Sequence, residues 1–183
     1  MKINFRILIG LVIAALLGGV VATQVVLAGK SDQAVRPSMT VEQAQARISA
    51  GEDMDTIPQS TWKKLLNKEE FDVLWEGDTE RAFTGDLLKI KEAGVYVTAG
   101  CRIPVFRSDH KFDSGTGWPS FWEVFDKDNV ILKTDYSWGM RRVEVLSSCG
   151  EHLGHLFEDG PEPTGLRYCI NSLALDFVPA EEE

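Results

Sequence analysis

Positive charge is in short supply in this chain. Its 183 residues hold 19 lysines and arginines against 28 aspartates and glutamates, a net charge of −9. Lys2 and Arg6 are the only charged residues of the first 28, so the remainder is more acidic still. Nucleic acid is excluded as a partner on this ground, because neutralising phosphates with lysine and arginine dominates that affinity. The acid excess serves solubility. No internal repeat is visible. Nor do strand and helix patterns alternate, which argues against a parallel doubly wound sheet. Cysteine and histidine are scarce, three of each, so every one can be weighed individually.

What is present is ordinary globular composition, with 44% hydrophobic and 26% charged residues. That supports a packed core and excludes wholesale disorder. The length fits one domain with an N-terminal appendage. Residues 1–28 form that appendage. Lys2 and Arg6 precede an apolar run from Ile7 to Ala22, then Thr23-Gln24, then Val25 to Ala28. A charged start followed by an apolar run marks a secretory signal, and Val26-Leu27-Ala28 offers a small-x-small cleavage site. The run also exceeds an h-region of roughly 7–15 residues and reaches the about 20 needed to span a bilayer. Cleaved signal and uncleaved anchor therefore both stand. Either inserts this segment into the membrane at least transiently. Basic residues ahead of the run place the rest outside the cytoplasm, in a periplasmic or other extracytoplasmic space.

Residues 29–59 read as a polar tether with a short helix from Thr40 to Ala50. Thr40 and Gln43 have capping-box spacing, and Gly51 ends the helix. Ser60 to Asn67 reads as a helical turn. Asn67 and Glu70 repeat the capping-box spacing ahead of Phe71, Leu74 and Trp75, an apolar stripe at i, i+3, i+4 that Gly77 closes. From Gly94 onward the period changes to two. Val95 and Val97 alternate, as do Tyr136, Trp138 and Met140, then Val143 and Val145, then Leu173, Leu175 and Phe177. These read as strands with one buried face, and the phase slip between Met140 and Val143 as a bulge. The fold class is therefore mainly β (α+β), with two antiparallel β-sheets and short flanking N-terminal helices. The domain proper covers 60–178, with an acidic tail at 179–183.

A free cysteine is usually a small buried hydrophobe, but Cys169 has suggestive company. Arg167, Cys169 and Asn171 fall on one face if the segment is a strand. A nearby cation favours the thiolate, the nucleophilic form, and Asn171 can donate to a substrate oxygen. His152 and His155 flank Leu153-Gly154. On spacing alone they are metal ligands, surface residues or active-site donors, and no thiolates lie at matching spacing to complete a zinc site.

The runs KFDSGTGWPSF (Lys111 to Phe121) and HLGHLFEDGPEPTGLRYCIN (His152 to Asn171) resemble the catalytic segments of B-type methionine sulfoxide reductases, and the resemblance extends from about Trp62 to Phe177. It implies reduction of the R epimer of methionine sulfoxide in oxidised proteins or peptides. Cys169 is then the nucleophile that becomes a sulfenic acid. His152, His155 and Asn171 hold and protonate the sulfoxide oxygen, whose departure needs a proton. Trp118 receives the methyl group, and Phe157, Asp159 and Arg167 shape the pocket. Thr79, Glu80, Phe83, Thr84 and Gly85 match a family segment read as structural.

The match departs from the family in two places. Many members hold a structural zinc with two CxxC pairs. Here Thr98 replaces one ligand, and Ser147-Ser148-Cys149-Gly150 keeps only Cys149. Two cysteines cannot make a four-thiolate site, so no zinc and no other cofactor is expected. The position that often carries the resolving cysteine is Thr116. Cys101 and Cys149 thus either pair with each other, as an extracytoplasmic setting permits, or resolve Cys169. Otherwise an external dithiol, such as a thioredoxin-like protein, reduces Cys169 directly. Competing readings are a cysteine hydrolase, which would need a base-orienting group and oxyanion donors, and a non-catalytic homologue that binds methionine sulfoxide.

Overall fold

The computed structural model describes residues 39–181 apart from 53 and 55. The N-terminal signal or anchor and the first part of the tether lie outside the described residues. Among the described residues three helices come first: α1 (Val41–Ala50), α2 (Gln59–Leu65) and α3 (Lys68–Glu76). The capping boxes are formed at both ends foreseen for them. Thr40 accepts from the Gln43 backbone and Asn67 from the Glu70 backbone, and each N3 side chain reaches back to the cap. These contacts satisfy first-turn donors that have no partner within the helix. Gly51 and Gly77 close α1 and α3 in the left-handed conformation, which glycine adopts without steric cost. Among the described residues no helix is long and apolar enough to cross a membrane.

Nine strands follow among the described residues: β1 (Gly94–Thr98), β2 (Pro104–Arg107), β3 (Lys111–Phe112), β4 (Ser120–Phe121), β5 (Val130–Asp135), β6 (Arg142–Ser147), β7 (His152–Phe157), β8 (Arg167–Ile170) and β9 (Leu175–Pro179). They make two antiparallel sheets, ordered β2-β1-β9 and β3-β4-β8-β7-β6-β5. The fold is the two-sheet α+β architecture anticipated from the sequence. Its main core joins Val73 and Leu74 of α3 to Tyr96, Phe106, Phe121, Leu153, Tyr168 and Ile170. Phe106 stacks on Phe121 with centroids 4.3 Å apart, and Tyr96 meets the Phe121 edge at 5.0 Å. Aromatic packing of this kind adds about 0.5–1.5 kcal/mol per pair beyond area burial. A second cluster gathers Ala44, Met54, Ile57, Trp62, Phe71 and Cys101 beneath the helices. The stripe on α3 is thus divided, Leu74 serving one cluster and Phe71 the other.

The strand expected at Tyr136, Trp138 and Met140 is a correction. That segment is a 3-10 turn at Ser137–Gly139, with Tyr136 and Met140 exposed, and the strand lies earlier, at β5. Asp135 accepts from both the backbone N–H (2.7 Å) and the hydroxyl (2.9 Å) of Ser137, a local turn that competes with continued pairing. β5 escapes notice because it is an edge strand exposed along its middle, so it has no alternating burial to show. The expected bulge near Met140–Val143 is the start of β6. The observed register shifts are at Tyr96/Val97 and Val145/Leu146.

Candidate active site

The register of the larger sheet assembles the site. Glu144 on β6 faces His155 on β7, His155 faces Cys169 on β8, and Cys169 faces Ser120 on β4. Directly opposed residues share a face of the sheet, so the row runs across one surface. Gly154 makes the close approach possible. A Cβ there would lie 2.1 Å from the Cys169 carbonyl oxygen, an impossible distance, so the strands meet this closely only because position 154 lacks a side chain.

A cavity of about 140 Å³ opens above the row. Trp118, Phe157 and Thr79 supply apolar wall, and Cys169, His155, Asn171 and Arg142 supply chemistry. The Trp118 indole N–H donates to the Glu80 carbonyl at 3.2 Å. Glu80 in turn is buried, and its carboxylate accepts from the backbone N–H groups of Ser172 (2.7 Å) and Leu173 (2.9 Å). Glu80, read from sequence as structural, therefore ties the tryptophan wall to the turn after β8.

Cys169 is partly buried and is the free cysteine among the described residues. Burial pushes its thiol above the usual value. The Thr116 hydroxyl and the Arg167 guanidinium pull the other way without prevailing. The thiolate expected from the neighbouring cation is thus outweighed by desolvation, and the resting sulfur is a thiol. Arg167 is committed elsewhere, donating to Asp159 through two nitrogens at 2.8 and 2.9 Å and lying over the Phe157 ring at 4.3 Å. Asp159 holds Arg167 by this bidentate pair, which draws its carboxyl below the usual range, and its charge adds to the rise of the Cys169 thiol.

The two histidines have different positions. The His155 ring Nε2 lies 3.0 Å from an Asp135 oxygen. Burial holds His155 below its ordinary value despite the Asp135 contact, with Arg142 and His152 adding to the depression. Asp135 is kept ionised by the Ser137 N–H and hydroxyl, by His155 and by Arg142, whose guanidinium donates to it at 2.7 Å. An ionised carboxylate only accepts, so Nε2 carries the proton and Nδ1 of a neutral His155 offers a lone pair. His152 is not on the cavity wall. It is buried beside His155 with centroids 5.5 Å apart, its Nδ1 2.8 Å from Glu144 and its Nε2 without a partner among the described residues. Asn171 does reach the cavity, but β8 ends at Ile170 and the side chain is mostly engaged. Its Oδ1 accepts from Glu80 N–H (3.1 Å) and its Nδ2 donates to the Leu153 carbonyl (3.0 Å), leaving one N–H.

Asp135, Glu144, Arg142 and the Thr116 contact were not singled out from sequence. Arg142 and Glu144 alternating with Val143 and Val145 are the one available signal, a charged face on a strand next to the histidine strand.

Cys101 and Cys149 are joined by a disulfide, at a sequence separation of 48. It bridges the β1–β2 turn to the β6–β7 turn. Glu151 lies fully buried beside it, accepting from the backbone N–H groups of Gly100 (3.0 Å) and Cys101 (2.8 Å) and from the Ser147 hydroxyl (2.9 Å). Both sulfurs and a Glu151 oxygen lie within 4.8 Å of one another. With the sulfurs bonded to each other and Thr98 in place of a third, these residues do not fit a four-thiolate zinc ion.

A family model described as the SelR domain matches residues 66–179. The chain is similar to a peptide methionine sulfoxide reductase MsrB of Methanosarcina barkeri, 55% identical over 125 residues that cover 68% of this chain and 88% of the relative. A protein of the same name in Leptospira interrogans is 54% identical over 118 residues, 63% of this chain and 89% of the relative. Methionine-R-sulfoxide reductase B3, mitochondrial, of Mus musculus is 47% identical over 124 residues, 67% of this chain and 49% of the relative.

Proposed function

The chain belongs to the MsrB family of oxidoreductases, and on that premise we propose that it reduces the R epimer of methionine sulfoxide in oxidised proteins or peptides. The observation that carries this reading is the pairing of Cys169 with His155 across β7 and β8 under the Trp118–Phe157 wall. The R preference draws on the name of the mouse relative.

The mechanism follows from the proton inventory. The resting site holds a thiol and a neutral imidazole. His155 Nδ1 takes the Cys169 proton, and Asp135 stabilises the imidazolium that forms. The thiolate attacks the sulfoxide sulfur while His155 returns the proton to the oxygen, and that hydroxyl then passes to the Cys169 sulfur as the new S–S bond breaks and methionine leaves. The Cys169 thiol and methionine sulfoxide become a Cys169 sulfenic acid and methionine, so atoms and electrons balance. An external dithiol, such as a thioredoxin-like protein, then regenerates the thiol and releases water as its own sulfurs join. Cys101 and Cys149 are already bonded to each other, which supports the external route. The remaining Asn171 N–H steadies the oxygen. His152 acts beside His155, holding it in place.

The hydrolase alternative gains a base-orienting group in Asp135, but membership of an oxidoreductase family weighs against it. Export from the cytoplasm is also proposed. It rests on the charged-then-apolar N-terminus and on the disulfide, which persists in oxidising compartments. The purpose served would be repair of oxidised proteins there.

The test is turnover by the full-length protein with dithiothreitol and each epimer of a peptide methionine sulfoxide supplied separately. Consumption of the R epimer alone is expected. Consumption of the S epimer, or of neither by a folded protein with a titratable Cys169, would overturn the proposal.

A further inference from the structure

The turn before β4 and the first residue of β4 place three hydroxyls in file against the reactive sulfur. Ser120 is fully buried and opposes Cys169 in the β4–β8 register, yet its hydroxyl turns away to Ser114, 2.7 Å between oxygens. The Ser114 oxygen is 2.8 Å from that of Thr116, and Thr116 lies 3.8 Å from the Cys169 sulfur. At the far end Ser120 Oγ is 3.2 Å from the Trp118 carbonyl oxygen. The file is therefore sulfur, Thr116, Ser114, Ser120, Trp118 carbonyl.

Each hydroxyl has one proton and accepts readily, so the file has two complete arrangements. In one, Ser120 donates to Ser114, Ser114 to Thr116, and Thr116 to an anionic sulfur. In the other, the sulfur's own proton is given to Thr116, and every hydroxyl rotates to donate one step onward, ending at the Trp118 carbonyl. In neither does a hydroxyl proton lack an acceptor. The backbone carbonyl cannot take up a proton, so no net proton travels. What moves is the direction of the hydrogen bonds.

We propose that Thr116, Ser114 and Ser120 form a reversible hydroxyl chain that sets the charge state of Cys169, donating toward the sulfur when it is anionic and away when it is protonated. Thr116 touches the reacting atom. Ser114 and Ser120 are positioning residues that act through it. The proposal rests on the reading of Cys169 as the reacting sulfur. It gives the site a way to favour the thiolate at the moment of attack, and an anionic oxidised sulfur afterwards, beyond what Arg167 supplies against burial. Thr116's own hydroxyl already opposes the burial that raises the thiol. The charged groups around the sulfur are Arg167 on its own strand, the Asp159 that holds Arg167, His155 across on β7, and Arg142 on the cavity wall.

The experiment is the pH dependence of Cys169 alkylation by iodoacetamide in the native full-length chain, whose other two cysteines are bonded together. Thr116→Val keeps the branched shape and removes the hydroxyl, Ser114→Ala removes the second link, and Thr116→Ser restores the first. A hydrogen bond to a charged group is lost in Thr116→Val, so the rate at pH 8 should fall roughly three- to tenfold and the titration midpoint should rise. Ser114→Ala should shift it the same way by less, and Thr116→Ser should track the parent. The shifts should persist at high salt, which screens contributions from charged groups. A Thr116→Val profile that superimposes on the parent overturns the proposal. So does a shift in Thr116→Val with none in Ser114→Ala, because it leaves a single contact and no chain. Alkylation needs no sulfoxide, so loss of turnover with these shifts intact would count against the function proposed above and not against the chain.

Discussion

Breaking the Cys101–Cys149 bond is the perturbation with the clearest magnitude. The bond closes a loop of 48 residues. Loop-closure entropy of the unfolded chain then gives about 4 kcal/mol of stabilisation. The domain falls between the size classes for which 1 kcal/mol moves the melting temperature by roughly 4–8 °C and roughly 2–4 °C, so removing the bond should lower it by roughly 10–20 °C. Serine at both positions is the right replacement, because Glu151 lies against the sulfurs and a hydroxyl can still bond to it. The native geometry around Gly100 and Cys101 should survive, since Glu151 holds both N–H groups independently. Scanning calorimetry of the double variant, with the parent in the presence and absence of reductant, measures the effect. The reduced parent and the double variant should agree. A loss under about 3 °C in both would refute the reasoning, for the turns would then be held together by Glu151 and packing alone.

Cys169→Ser should abolish sulfoxide turnover while leaving the melting temperature nearly unchanged, and strong residual activity would remove Cys169 from the mechanism. The pH profile of kcat/KM should be a bell. Its acid limb should lie below the ordinary histidine value of 6.5, where the depressed His155 becomes charged, and its alkaline limb above the ordinary thiol value of 9.0, where the raised Cys169 loses the proton the oxygen needs. An acid limb above pH 7 would contradict the assignment. Asp135→Asn should lower kcat about 10–100-fold, with a smaller change in KM, by removing the charge that stabilises the His155 imidazolium and adding an N–H that can turn the ring to the wrong tautomer. Equal turnover would show that the ring is set by packing. Glu151 is held above its ordinary value of 4.5 by burial, the largest cause, against the hydrogen bonds it accepts. A native carboxyl raised above its unfolded value favours the protonated fold, so its contribution is full below pH 4.5 and is lost as pH rises through the native value. Glu151→Gln should flatten that decline in denaturant titrations run across pH, and an unchanged slope would place its origin elsewhere.

Helix ends were readable because caps are local. Thr40 with Gln43, Asn67 with Glu70, and the terminal Gly51 and Gly77 act within a turn of their own position. The strand-borne site was partly readable for the same reason, since Arg167 and Cys169 lie two apart on one strand. What escaped depends on contacts between distant segments. Asp135 and Glu144 meet the histidines only through the β5–β6–β7 register, which no short window contains. Asn171 was placed on the face of β8 because nothing in its neighbours announces that the strand stops one residue earlier. The charge state of Cys169 was misjudged because Arg167 is visible in the sequence while the burial that outweighs it is a property of the folded cavity. β5 was missed since an edge strand wet on both faces carries no periodic burial, and the apolar alternation of Tyr136 and Met140 in the following turn imitated one.

The glycine between the two histidines sets the gauge of the reaction. A single methyl at position 154 would need the space now filled by the Cys169 carbonyl, and the two strands could accommodate it only by parting. Base and nucleophile ride on those strands, so their separation would widen with them, and a displacement of about 1 Å is enough to cost roughly a hundredfold in rate. A variant of this chain could therefore retain every reactive side chain, fold, and keep its cavity, and still fail as a catalyst through the addition of one inert carbon.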